Sequence, residues 1–172
     1  MSALRENTFT EFHQTTLTLL KSLSALTEEQ LNFLPPSGWS AGQLGDHLLK
    51  SYASAETLNG KTKATTRPID QKLASVKTLF TDNTIKMESP EAILPSQEKI
   101  NKKDLIDHLE ERIGQIKEVI LNKDLSLTCI DFSIPEYGAF TRFEWVWFNI
   151  YHTQRHIHQL KHIVQSNNLK EI

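Results

Sequence analysis

Apolar positions recur every three and four residues in four long stretches of the chain, and the stretches between them show no period. Phe9, Phe12, Thr16, Leu19, Leu23 and Leu26 have the seam spacing of packed helices and predict a first helix over about Leu4–Leu26. Ser40 followed by Gln43 is a capping box, predicting a second helix from Ser40 to about Leu58 with Leu44, Leu48 and Ala55 on its apolar side. Beside that side runs a polar stripe, Gln43, His47, Ser51 and Ser54, which is either the rim of a polar cavity or the place where the helix meets water. Ile106, Leu109, Ile113, Ile116 and Ile120 predict a third helix over about Lys102–Leu121, with Asn101 as its N-cap. A fourth is predicted over Thr141–Val164, opened by a capping box between Thr141 and Glu144.

The intervening stretches punctuate these helices. Thr27–Trp39 turns the chain, with Pro35-Pro36 blocking helix and Ser37-Gly38 supplying turn conformations. Asn59–Arg67 reads as a loop, and Ile69–Phe80 as a short helix with Leu73, Val76 and Phe80 on one side. Thr81–Lys99 is an extended surface crossover, Leu125–Thr128 a brief extended stretch, and Pro135–Gly138 a turn. Together these features predict one all-α domain over 1–172, a four-helix bundle with a long crossover between helices two and three rather than a simple up-down-up-down bundle. Phe140–Tyr151 is apolar nearly all round its helix, so it needs cover from the crossover or from a second copy of the chain, a possible homodimer.

Composition narrows the function classes. A formal net charge of −2 with acids and bases interspersed gives no footprint for nucleic acid or an anionic membrane surface. No apolar run is long enough to span a membrane, and MSALRENTFTEF lacks the apolar core of a signal peptide. The single cysteine, Cys129, precludes an internal disulfide and fits a reducing, cytoplasmic setting; among Leu127, Ile130 and Phe132 it reads as a buried, inert thiol.

The candidate chemistry lies on the fourth helix. At about 100° per residue, Trp145, Phe148, His152, His156, Gln159 and Ile163 share one stripe. Two imidazoles and an amide thus occupy the middle of a core-facing seam, where each uncompensated polar group costs on the order of 1–3 kcal/mol. Histidines at i and i+4 can ligate one metal ion, and His47 on the second helix is a third donor from a facing element. Gln43 and Ser51 beside His47, with Gln159 and Arg155 on the fourth helix, are placed to form an outer shell or to orient an anionic group. Three neutral imidazoles with open positions suit zinc, nickel or iron in a catalytic rather than a closed structural site. Alternatively, the histidines satisfy one another or Gln159 with no metal. His13, His108, His158 and His162 lie off the seams and read as solvated, and Asp46 points away from His47.

WSAGQLGDHL (Trp39–Leu48) and HTQRHIHQL (His152–Leu160), with EYGAFTRFEW between them, resemble the DinB/YfiT-like superfamily of metal-dependent enzymes. The resemblance runs from the first helix through Ile163. It implies a four-helix bundle holding a divalent ion between one histidine of helix two and two of helix four, here His47, His152 and His156. It also implies a frequent dimeric state and, from characterised relatives, thiol transfer or thiol-dependent isomerisation with low-molecular-weight thiols such as bacillithiol or mycothiol. Three function classes follow: a metal-dependent enzyme of thiol-transferase or hydrolase type acting on a small molecule, a non-catalytic metal- or ligand-binding bundle, and a helical interaction protein. No protein general base stands out, since Gln43 and Gln159 do not titrate, and this leans toward thiol transfer.

Overall fold

The computed structural model describes residues 2–82 and 84–168; residues 1, 83 and 169–172 of the expected 1–172 domain, Asn83 of the crossover among them, lie outside the described residues. Helix α1 spans Ala3–Ser24, its first turn capped by the Ser2 hydroxyl accepting from the Arg5 amide. Phe12, Thr16, Leu19 and Leu23 are buried along the expected seam, whereas His13 is exposed and stacks on Phe9 with ring centroids 6.0 Å apart. The connector expected as a plain turn contains a short helix, α2 (Glu28–Asn32), with a reciprocal capping box between Thr27 and Gln30. That signal is written in the sequence as plainly as Ser40–Gln43, but five residues are too few to show a period.

The second long helix begins at the Ser40 capping box as expected but does not run unbroken to Leu58. It divides into α3 (Ala41–Ser51) and α4 (Ser54–Asn59). Across the break Ala53, Ala55 and Glu56 donate to carbonyls three residues back, a tightening that neither glycine nor proline announces. Tyr52 sits at this point, fully buried, its hydroxyl 2.6 Å from Thr153 Oγ1.

The crossover follows: strand β1 (Thr62–Lys63), helix α5 (Leu73–Thr81) and a 3₁₀ turn at Glu91–Ile93. Helix α6 (Lys102–Asn122) is capped by Asn101, as expected. It buries Leu105 in place of the expected Ile106, which is partly covered. Strand β2 (Thr128–Cys129) pairs antiparallel with β1. The extended stretch therefore starts later than expected, because Asp124 Oδ1 accepts from the amide and hydroxyl of Ser126 and turns the chain there. Helix α7 (Arg142–Asn168) completes the set.

α1 and α3 lie across a diagonal, each flanked by α6 and α7, so the all-α bundle is not of the simple up-down-up-down kind. Gly45 permits the α3–α6 approach, since a Cβ there would meet Leu105 Cδ2 at 2.8 Å. No helix among the described residues is long and apolar enough to cross a membrane.

Part of the aromatic half of α7 is covered within the chain, while Trp147, Phe148 and Tyr151 stay half-buried. Phe80 of α5 packs edge-on against Phe148, and Phe140 against Trp145. The helix start is fixed by Glu144, whose carboxylate is fully buried and accepts from both guanidinium nitrogens of Arg67 (2.6 and 2.7 Å), from the Lys72 amide and from the Thr141 amide. One side chain thus closes the expected capping box and ties the crossover to α7. Glu144→Ala leaves the Arg67 guanidinium and two amides without their acceptor, and about 3 kcal/mol of stability is expected to go with it, read as a lower urea midpoint at unchanged slope. Cys129 is buried between the bundle and the short sheet, and burial pushes its thiol up to about 11. Its thiolate fraction at pH 8 is then on the order of 10⁻³, so a disulfide reagent is expected to modify it far more slowly in the native protein than in urea.

Candidate metal centre

Of the polar stripe on α3 and α4, His47, Ser51 and Ser54 face α7 and Gln43 faces Ser96 of the crossover, with Tyr52 beside them. Tyr52 meets Thr153, Ser54 exchanges hydrogen bonds with Asn149, and His47 meets the α7 histidines. His47 Nε2 lies 3.1 Å from His152 Nε2, which lies 2.9 Å from His156 Nε2. One ligand atom from each ring falls within 4.8 Å of the others. The three residues are 1, 6 and 6% exposed, so water does not solvate these nitrogens freely.

The opposite edge of each ring is held. His47 Nδ1 is 2.8 Å from the Ile93 carbonyl, His152 Nδ1 is 3.1 Å from Ser51 Oγ, and His156 Nδ1 is 2.7 Å from Gln159 Oε1. A carbonyl only accepts, so His47 carries its proton on Nδ1 and turns a bare lone pair inward; His156 does the same against Gln159. Between those two lone pairs stands His152 Nε2. As an N–H it is divided between two acceptors, and as a lone pair it adds a third to the other two. Neither protonation state satisfies all three nitrogens, whereas a cation does. Ligand bonds of about 2.0–2.1 Å to one ion at right-angled to tetrahedral geometry place nitrogens about 2.9–3.4 Å apart, a range that contains both measured separations. The donor set therefore fits a divalent ion, with the Nδ1 partners supplying the outer hydrogen bonds that such ligands use.

The walls are aromatic. Trp39 packs on His47 with ring centroids 4.9 Å apart and stacks over His156 at 6.4 Å, while Phe80 and Phe148 flank His152 at 5.0 and 5.8 Å. Trp39 opens the WSAGQ segment, yet its wall role was not legible, because a tryptophan before an N-cap looks like any staple residue. The Ile93 carbonyl was likewise invisible, as any residue supplies one. Of the expected outer residues, Gln159 binds a ring directly. Gln43 instead closes the α3 capping box and donates to the Ser96 carbonyl. Arg155 donates to the carbonyls of Asp82 and Ile85 in the crossover. Asp46 faces away, accepting from Lys50 and the Ser96 amide. His108, His158 and His162 are exposed, in keeping with their off-seam positions.

Burial lowers the basicity of all three rings. His47 is shifted down mainly by desolvation, His152 well down by desolvation and its two neighbours, and His156 to about 3 by desolvation and His47. These groups are neutral in the folded chain and protonate near 6.5 when it unfolds, so below that pH the unfolded state binds more protons. Stability of the metal-free protein is therefore full above about pH 6.5 and falls as pH drops below it toward the folded-state values, about 3 for His156, each histidine contributing up to about 1.4 kcal/mol per pH unit, measurable by denaturant titration.

A family model described as the DinB superfamily matches residues 11–160. No curated protein and no solved structure matches the chain.

Proposed function

The chain belongs to the DinB superfamily, and we propose that it is a divalent-metal-binding member acting as a metal-dependent enzyme of thiol-transfer or hydrolase type, with His47, His152 and His156 as ligands. The observation that carries this reading is the convergence of three buried Nε2 atoms, two of which, on His47 and His156, have lone pairs turned inward by their Nδ1 partners. A zinc, nickel or iron ion held there would supply Lewis acidity, lowering the pKa of a water or thiol and polarising an electrophile. The protein's own part is to orient and exclude water: Ile93, Ser51 and Gln159 fix the ring edges, and Trp39, Phe80 and Phe148 keep the surroundings dry. Among the described residues the cluster gathers histidines alone, and Asp46, next to His47 in the chain, is engaged by Lys50 and Ser96. A thiol substrate asks least of such a site, since it needs no separate protein base once its proton is lost. A second reading, metal or small-ligand binding without turnover, draws on the same missing base and on the near-complete burial of the rings.

Elemental analysis of tag-free protein is expected to give one ion per chain at this cluster, lost on His47→Ala or His152→Ala; metal content unchanged by both substitutions would sink the assignment. Gln159→Leu removes an outer partner and is expected to weaken affinity about 10–100-fold. Loading at about 100 times the dissociation constant is expected to stabilise the fold by about 2.7 kcal/mol, seen as a raised melting temperature. Turnover with small thiols, or with ester and amide substrates, then separates the enzyme from the binding protein.

A further inference from the structure

Half a turn past His156, α7 carries a second histidine pair that the interior cluster does not use. His158 and His162 are four residues apart and exposed. Their rings meet edge-on, centroids 4.6 Å apart at 89°, with the two Nε2 atoms 3.2 Å apart. The interior pair on the same helix has almost the same relation, with centroids 4.6 Å apart at 71° and Nε2 atoms 2.9 Å apart. The helix thus repeats one chelating arrangement twice, once facing α3 and once facing solvent. We infer that His158 and His162 form a surface chelate for a late first-row divalent cation, Cu(II), Ni(II) or Zn(II).

The separation carries the argument. Two imidazole nitrogens bound at about 2.0–2.1 Å to one ion lie about 2.9 Å apart at a right angle and about 3.4 Å apart at the tetrahedral angle. The 3.2 Å between His158 and His162 falls inside that window without any change of rotamer. Helical geometry keeps it there, since residues four apart share a face and the backbone between them is continuous α-helix. With two ligands instead of three, and with water competing for the ion, this site binds more weakly than the interior one. It prefers Cu(II) over Ni(II) and Zn(II), following the general order for nitrogen donors. The inference does not depend on the interior cluster being loaded or catalytic.

The test is a Cu(II) titration of tag-free protein by calorimetry, repeated with Ni(II), on the wild type, on the His158→Ala/His162→Ala double variant and on His152→Ala/His156→Ala. The wild type is expected to bind one ion more per chain than the surface double variant, and the interior variant is expected to keep the surface ion. Either single surface substitution should weaken that class of site by about tenfold or more, because the chelate loses one of two arms. Equal stoichiometry for the wild type and the surface double variant overturns the proposal. A second readout is nuclear magnetic resonance of the His152→Ala/His156→Ala variant, in which the tighter interior cluster no longer competes, with substoichiometric Cu(II): selective broadening of the His158 and His162 ring signals supports the site, and its absence refutes it. Loss of the interior ion with retention of the surface one, or the reverse, tells failure of the two assignments apart.

Discussion

An imidazole has two nitrogens and, when neutral, one proton, so fixing the proton on one edge fixes a lone pair on the other. In this bundle that constraint is applied at the three ring edges facing away from the cluster. The Ile93 carbonyl and Gln159 Oε1 hold Nδ1 protons outward, and Ser51 holds the outer edge of His152. What remains inside is a set of nitrogens that repel one another unless something positive lies between them. The other polar contacts of the same interface set the register that makes this convergence possible. Tyr52–Thr153 and Ser54–Asn149 lock α3 and α4 against α7 on the side of the cluster nearer the α7 N-terminus. Each is a buried polar pair in which both members are satisfied, the condition under which such pairs add specificity to a core.

The crossover is the second half of the device, and it explains why that segment has no period of its own. Its backbone is held by side chains of the two histidine-bearing helices. Glu144 takes Arg67 and the Lys72 amide, Arg155 takes the carbonyls of Asp82 and Ile85, Lys50 takes the Leu94 carbonyl, and Asp46 and Gln43 take the two backbone groups of Ser96. The stretch after α5, its polar groups satisfied from outside, needs no more structure than one 3₁₀ turn, which lays the Ile93 carbonyl on His47, while α5 itself lays Phe80 on His152. The strap, the wall and the outer hydrogen bond are one piece of chain.

This division also decides what was legible in the sequence. Burial follows spacing, so the seams of α1, α6 and α7 could be read from their threes and fours, and so could the two imidazoles standing where aliphatic residues were due. Capping boxes announce helix starts by side-chain type, and Ser40–Gln43 and Thr141–Glu144 formed as read. The break at Tyr52–Ala53 left no mark, since it arises from what Tyr52 meets on α7 and not from a residue that disfavours helix. Leu105 displaced Ile106 from the core for a similar reason: Gly45 on a facing helix leaves room at one position and not at its neighbour. Whether the stripe of Gln43, His47, Ser51 and Ser54 faced water or a cavity was open until α7 could be set beside it. Backbone carbonyls, Ile93 above all, have no signature in a sequence.

Charge balance carries the chemistry one step further. Three neutral imidazoles bring no negative charge to the cluster, and the nearest positive side chain, Arg155, lowers the basicity of His152 and His156 and does not offset a cation. Desolvation already keeps a proton from occupying the centre. A divalent ion accepted among these ligands therefore keeps its full charge inside a nearly dry wall of Trp39, Phe80 and Phe148. Low dielectric makes that charge expensive unless an anion joins it. Two inward lone pairs, on His47 and His156, with His152 Nε2 between them, meet the first need, and nothing in the cluster supplies a negative charge for the second. Were an ion held here, the compensating charge would have to come from an added ligand that becomes anionic on binding, as the proposed thiol or water would.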